Sequence, residues 1–127
     1  MNKRFFTVEE VRQLLPQIRE RIEKMFLLNS RLEKHQEAIQ ALANNASSDT
    51  GSPEGTFYLE NLLLLQNHIR NIQEIGCMVK SVQDGLVDFP HIKDGREVYL
   101  CWKYDEDDIL HWHEVDEGFS ERMPLLE

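Results

Sequence analysis

Residues 96–115 read REVYLCWKYDEDDILHWHEV, and this stretch decides the fold of the C-terminal part of the chain. Residues with β-branched and aromatic side chains alternate with polar ones on both sides of an acidic run, which covers residues 104–108. A two-residue alternation is the periodicity of a β-strand, and an acidic run of this length suits a hairpin connection. The pattern therefore predicts a β-hairpin over residues 96–115.

Burial fixes the register of this hairpin, because a slip of one residue would turn every side chain to the other face. The predicted apolar face carries five residues of the two strands: Val98, Leu100, Trp102, Leu110 and Trp112. On the opposite face, Cys101 should lie beside His111, and Tyr99 beside His113. The register thus predicts a thiol and two imidazoles on one face of the sheet.

This group of side chains suggests a metal site, because zinc and iron accept thiolate and imidazole ligands in proteins. One hypothesis is a zinc or iron ion bound by Cys101, His111 and His113. The candidates for a fourth ligand are three acidic residues near the predicted strands: Asp88, Asp116 and Glu106. The alternative is an ordinary polar sheet face that holds no ion.

The N-terminal part of the chain has the pattern of a long amphipathic helix. Thr7 and Glu10 form a capping box, and apolar residues then recur at steps of three and four, which predicts a helix over residues 8–43. Pro16 lies early in this helix, where it removes a backbone hydrogen bond. We expect a kink near Pro16 rather than a helix that ends near Leu15.

A second helix is predicted after a flexible loop. Residues 44–55 are rich in Asn, Ser, Gly and Pro, which favour turns. Helical spacing then resumes and predicts a helix over residues 56–84, ended by Gly85. The two helices can bury their apolar stripes as an antiparallel hairpin. Leu63 and Leu64 lie outside the second stripe, so we expect a homodimer that buries them in a four-helix bundle.

Two arginines are candidate anion ligands in this acidic chain. Arg96 lies at the start of the predicted hairpin, and Arg122 lies in residues 116–127, which are predicted to form an irregular tail. A guanidinium suits either an anionic ligand or a nearby carboxylate of the same chain. With Asp88 and His113, the two arginines define a predicted ligand-binding pocket at the C-terminal end.

Length and charge limit the function classes. The chain, residues 1–127, has the length of a single domain. Its 14 basic and 23 acidic residues give a formal net charge of -9, which disfavours nucleic acid and anionic lipid as partners. The longest apolar run, residues 62–65, is far below the roughly 18 residues of a membrane span, and no signal peptide is evident. We therefore expect a cytoplasmic protein with two free thiols.

Four stretches of the chain resemble one family: FFTVEEVRQLLP at 5–16, GLVDFP at 85–90, GREVYLCW at 95–102 and HWHEVDEGFSERMPL at 111–125. It is the family of small bacterial and archaeal proteins filed as domain of unknown function 2203. The resemblance implies a shared architecture and no reaction. Its motif positions correspond here to ten residues: Asp88, Pro90, Arg96, Cys101, Trp102, Trp112, His113, Gly118, Phe119 and Arg122. The position of His111 often holds another residue in the family, so the resemblance favours His113.

These patterns predict an α+β fold that is mostly α: a long antiparallel helical hairpin, with a C-terminal β-hairpin packed against it. Two functions are compatible with it. The first is a self-associating binding or assembly module, whose polar C-terminal pocket recognises a small ligand or a partner protein. The second is a metal-binding protein or metal-dependent enzyme that uses His113 with Cys101, His111 or a nearby carboxylate. The sequence indicates no catalytic residue.

Overall fold

Two helices come first in the chain and an antiparallel sheet follows them, in a computed structural model that describes residues 3–44 and 53–125. Helix α1 spans Val8–Asn44, and helix α2 spans Pro53–Ile75. The strands are β1 (Met78–Ser81), β2 (Leu86–Lys93), β3 (Arg96–Lys103), β4 (His111–Glu114) and β5 (Met123–Pro124). A short 3-10 helix at Phe119–Glu121 precedes β5. The predicted fold class, α+β and mostly α, is confirmed.

Helix α1 begins at the predicted capping box. The backbone N–H of Thr7 donates to Glu10 Oε1 over 2.8 Å, and the N–H of Glu10 donates to Thr7 Oγ1 over 3.0 Å. The helix continues through Pro16 to Asn44, so an end near Leu15 is excluded. Its predicted apolar stripe is buried: Val11, Leu15, Ile18, Ile22, Met25, Leu28 and Leu32.

The two helices pack as an antiparallel hairpin. Arg21 of α1 contacts His68 near the end of α2, whereas His35, further along α1, packs against Phe57 near the start of α2. Contacts that run in opposite directions along the two helices define the antiparallel arrangement. Most of the predicted loop at 44–55 falls outside the described residues.

Helix α2 ends nine residues earlier than predicted. We expected a helix to residue 84, but the helix stops at Ile75, and Gly76 takes a positive φ of 116° that side-chain-bearing residues rarely adopt. The next apolar residues also suit a strand, since Val79 pairs with Val87 in β1 and β2. Gly85, predicted to end the helix, instead lies in the turn between these strands with φ 67°.

The predicted β-hairpin is the centre of a larger sheet, whose strand order is β1-β2-β3-β4-β5 with antiparallel neighbours. Its register is as predicted, with Cys101 opposite His111 and the next two pairs following. The expectation of an irregular tail at 116–127 is wrong in part, because Met123 pairs with Trp112 as part of β5. Strands β1 and β2 were not predicted.

One face of the sheet packs on the helices. Its buried apolar residues are Val87, Phe89, Val98, Leu100, Trp102 and Trp112. Leu110 was predicted on this face but is 47% exposed, because β4 begins only at His111; Ile109 is buried in the core instead. Arg19 links helix α1 to the segment that follows β3. Its guanidinium donates to the backbone carbonyl oxygens of Tyr104 and Glu106 over 2.8 Å each.

Candidate metal centre

Three ionisable side chains meet on the face of the sheet opposite the helices. Asp88 lies on β2, Cys101 on β3 and His113 on β4. Asp88 is paired with Cys101, and two residues from Cys101 along β3, Tyr99 is paired with His113. Paired residues of neighbouring strands point to the same face, and successive residues alternate, so these side chains share the face opposite Trp102.

The three groups are close together and buried. Nε2 of His113 lies 3.0 Å from Oδ2 of Asp88, and Nδ1 of His113 lies 2.8 Å from the backbone oxygen of Glu114. One ligand atom each of Asp88, Cys101 and His113 lies within 4.8 Å of the other two. Each of the three residues is at most 2% exposed. Such a cluster is well shielded from water.

The hydrogen bonds of His113 place the protons of the site. The carbonyl of Glu114 can only accept, so Nδ1 carries a hydrogen. The contact between Nε2 and Asp88 also requires one proton, either on Nε2 beside a carboxylate or on Oδ2 beside a neutral imidazole. In both cases the pair of side chains carries no net charge, which lowers the cost of burying it.

Two groups of the cluster keep unused capacity to bind a ligand. Oδ1 of Asp88 is buried and has no hydrogen-bond partner among the described residues. Burial, together with the neighbouring Asp88 carboxyl, raises the pKa of the Cys101 thiol to about 12, so without an ion the thiol is protonated at neutral pH. A buried oxygen without a partner is unusual in folded proteins and calls for an explanation.

An ion pair borders the cluster. Arg122 donates to both carboxylate oxygens of Glu106, over 3.0 and 2.9 Å, and its Nη1 also lies 3.5 Å from the backbone oxygen of Cys101. Its guanidinium stacks 4.1 Å from the ring centre of Phe119. Arg122 is thus the partner of a carboxylate of the same chain, as one of the two interpretations held, and that carboxylate is Glu106.

Two predicted site residues lie outside the cluster. Nδ1 of His111 is 3.4 Å from Oε2 of Glu106, in a geometry that makes no hydrogen bond, and His111 contributes no atom to the cluster. Arg96 donates from Nε to Glu114 over 3.1 Å and lowers the pKa of that carboxyl. By strand alternation Arg96 is on the helix-facing side. The structure therefore brings together Asp88, Cys101 and His113, and not Arg96 or His111.

The surroundings of His113 include residues that the sequence analysis did not single out for function. The centre of the Tyr99 ring lies 5.6 Å from the centre of the His113 imidazole. The two residues are paired across the strands, as the register predicts. The ammonium groups of Lys3 and Lys80 lie 5.9 and 5.8 Å from the centre of the Tyr99 ring. Lys80 is on β1, a segment for which the sequence pattern predicts helix, so no sequence signal placed it here.

The fold and the cluster define an α+β protein with a candidate metal centre. Residues 4–125 match the family described as Uncharacterized conserved protein (DUF2203), and the match covers nearly the whole sequence. The chain belongs to this family, which confirms the resemblance seen in its motifs. No curated protein and no solved structure matches the chain.

Within residues 3–44 and 53–125, neither helix is long and apolar enough to cross a bilayer. The finding agrees with the short length of the longest apolar run in the sequence, residues 62–65.

Proposed function

We propose that this protein binds one divalent transition metal ion, zinc or ferrous iron, through Asp88, Cys101 and His113. The observation that supports this function best is the convergence of an oxygen, a sulfur and a nitrogen ligand within 4.8 Å at a buried position. The three residues come from adjacent strands of one sheet, and regular strands hold ligands more precisely than loops do.

The arrangement needs little movement to accept an ion. Tetrahedral zinc, with bonds of about 2.0–2.3 Å, holds its ligand atoms roughly 3.3–3.8 Å apart. His113 already donates Nδ1–H to the backbone oxygen of Glu114, which leaves Nε2 as the ligand atom. A metal-binding histidine almost always has such a partner for its second nitrogen, because the partner fixes the tautomer and the ring orientation.

The charges of the ligand set also match a divalent ion. With the ion bound, Asp88 and Cys101 each carry one negative charge and His113 is neutral, so the centre as a whole is uncharged. The thiolate selects against calcium and magnesium, which prefer oxygen ligands, and favours zinc or iron. Oδ1 of Asp88, which has no hydrogen-bond partner within residues 3–44 and 53–125, would lie next to a cation.

Three protein ligands leave one coordination position for water or a small ligand. An open position is typical of catalytic ions, whereas structural zinc is usually closed by four protein ligands. Because all three ligand residues are buried, we propose metal binding as the function and assign no substrate.

A pocket for a small anion receives less support. Such a pocket would need Arg96 and Arg122 to face Asp88 and His113 with free guanidinium groups. Both arginines donate to glutamates instead, and Arg96 lies on the helix-facing side of the sheet. The geometry therefore favours the metal hypothesis over the anion pocket.

A cytoplasmic location is part of the proposal. Cys77 and Cys101 are both free and buried. A reducing compartment keeps such thiols available, and Cys101 must be reduced to bind an ion.

The test is metal uptake by the protein purified without a histidine tag. The metal content is measured by elemental analysis, and the affinity of the metal-free protein for zinc is measured in competition with a chromogenic chelator. We expect about one equivalent of zinc or iron, and in the cobalt-loaded protein a thiolate-to-cobalt charge-transfer absorption from Cys101.

Two serine variants separate the centre from the other thiol. Cys101→Ser should weaken zinc binding by at least about tenfold and remove the charge-transfer band. Cys77→Ser is the matched control, because Cys77 is equally buried but lies in the apolar core, and it should bind zinc like the unaltered protein. Less than roughly a tenth of an equivalent, with no uptake of added zinc or iron, would refute the proposal.

A further inference from the structure

Helix α2 carries leucines on the side that faces neither α1 nor the sheet. Leu59, Leu63 and Leu64 are 54%, 55% and 51% exposed. At about 100° per residue, Leu59 and Leu63 lie on the half of the helix opposite the buried residues Leu65 and Ile72, and Leu64 lies at the edge of that half. We call the exposed residues of this half, between 56 and 74, the outer α2 surface.

The outer α2 surface is not an ordinary solvated helix face. Between residues 56 and 69 the only charged side chain is Glu60. By contrast, exposed positions of α1 carry charges that pair with each other, such as Glu20 with Lys24. A single exposed leucine is normal, but three within two turns, in a stretch of 14 residues with one charged side chain, mark a contact surface.

The charges that flank the leucines indicate which partner covers them. Glu60 and Arg70 are exposed and form no ion pair with any residue that the structure describes. They lie ten residues apart, about 15 Å along the helix. Leu63 and Leu64 lie between them, close to the midpoint at Leu65.

From this arrangement we infer that two copies of the chain associate through α2. If two α2 helices pack antiparallel around a two-fold axis near Leu65, Glu60 of each copy faces Arg70 of the other. A two-fold interface uses the same patch twice, so it must be self-complementary, and opposite charges at equal distances from the axis meet that condition. The leucines of both copies then come together near the axis.

The resulting dimer joins two helical hairpins in a four-helix arrangement. It buries the leucines that the fold of one chain leaves exposed, and it leaves the sheet and the cluster at Asp88, Cys101 and His113 outside the interface. Association is therefore independent of metal binding, and metal-free protein is suitable for the test.

The experiment measures the mass of the full chain in solution by sedimentation equilibrium over a range of concentrations. The unaltered protein should have twice the chain mass of 15.0 kDa. Leu63→Gln should raise the dissociation constant by at least about tenfold. Leu27→Gln is the matched control, because Leu27 is also 54% exposed but lies on α1, and it should leave the dimer intact.

The charges provide a second, stricter test. Glu60→Arg alone should weaken the dimer, because it places arginine opposite arginine in the two-fold pairing. Glu60→Arg combined with Arg70→Glu should restore the affinity to within about twofold, since the two charges are exchanged. A monomeric unaltered protein, a dimer that tolerates Leu63→Gln, or a charge exchange that fails to restore association would overturn the inference. Circular dichroism verifies that each variant is folded.

Discussion

Strand β3 has buried side chains on both of its faces, but for different reasons. The helix-facing side carries Val98, Leu100 and Trp102, all 0% exposed, and burial of such side chains stabilises the fold directly. The other side carries Cys101, also 0% exposed, between Asp88 and His113. Burial of ionisable groups costs free energy unless they are paired or bind a ligand.

This difference shows which side is a candidate for function. The apolar face accounts for its own burial, because hydrophobic packing is the main driving force of folding. The polar face does not, since it encloses a thiol and a carboxylate oxygen that has no hydrogen-bond partner in the described part of the chain. Buried ionisable clusters of this kind are concentrated at functional sites. Replacing residues on each face measures how far the two really differ.

The largest effect is expected from the apolar face. Trp102→Ala should lower the free energy of unfolding by about 3–5 kcal/mol, because it leaves a cavity in the core. It also removes the hydrogen bond that the indole Nε1–H donates to the backbone oxygen of Glu106 over 2.9 Å. Urea denaturation measures the loss, with Leu110→Ala as the exposed control. A loss below about 1 kcal/mol would show that this face is not the core.

The polar face should respond to the removal of one partner of its buried pair. In the metal-free protein, Asp88→Ala should cost about 3 kcal/mol, because Nε2 of His113 loses its hydrogen-bond partner at a buried position. If the two residues act as a pair, the double variant with His113→Ala should lose less than the sum of both single losses, by at least about 1 kcal/mol.

Zinc distinguishes the two faces further. A ligand that binds only the folded state stabilises it, so zinc should raise the free energy of unfolding of the unaltered protein and of Trp102→Ala, but not of Asp88→Ala. Equal stabilisation of all three by zinc would place the metal elsewhere in the chain. Urea denaturation with and without zinc measures these differences.

Much of the fold could be predicted because burial leaves a regular pattern. The stripe of α1 and the register of β3 with β4 follow directly from the spacing of apolar residues, since a shift would expose the core. Strand β1 was missed because its four residues include Val79, which also continues the helical spacing of α2. Helix α2 and strand β1 are divided at Gly76, whose backbone has a φ of 116°. A glycine within a helical pattern does not by itself predict this conformation.

The candidate site, like the fold, could be predicted where it depends on the alternation of residues along the strands. Alternation placed Cys101 and His113 on one face, and Asp88 was among the candidate ligands. Alternation also placed His111 there, but it cannot show that the ring turns toward Glu106. That direction depends on the chain between β3 and β4, whose course no periodicity describes.

The smallest expected effect is a loss of stability at alkaline pH, to which one thiol of the apolar core and one thiol of the polar cluster contribute. Cys77 belongs to the apolar core and Cys101 to the polar cluster, yet burial raises the pKa of both from 9.0 to about 12. Between pH 9 and about pH 12 the folded metal-free protein keeps protons on these thiols that the unfolded chain has lost. Its stability is therefore complete below pH 9 and falls as the pH rises, by about 1 kcal/mol for each thiol at pH 10.

Serine variants and zinc show how much of the loss of stability at alkaline pH comes from Cys77 and how much from Cys101. The quantity measured is the difference in the free energy of unfolding between pH 8 and pH 10. Cys77→Ser and Cys101→Ser should each remove about half of the part that the thiols contribute. Bound zinc should change only the share of Cys101 and turn it from a loss into a gain with rising pH, because the ion holds that thiol as a thiolate while the unfolded chain keeps the proton below pH 9; Cys77 keeps its proton and its share. If zinc leaves the share of Cys101 unchanged, Cys101 is not a ligand and the two faces differ in polarity alone.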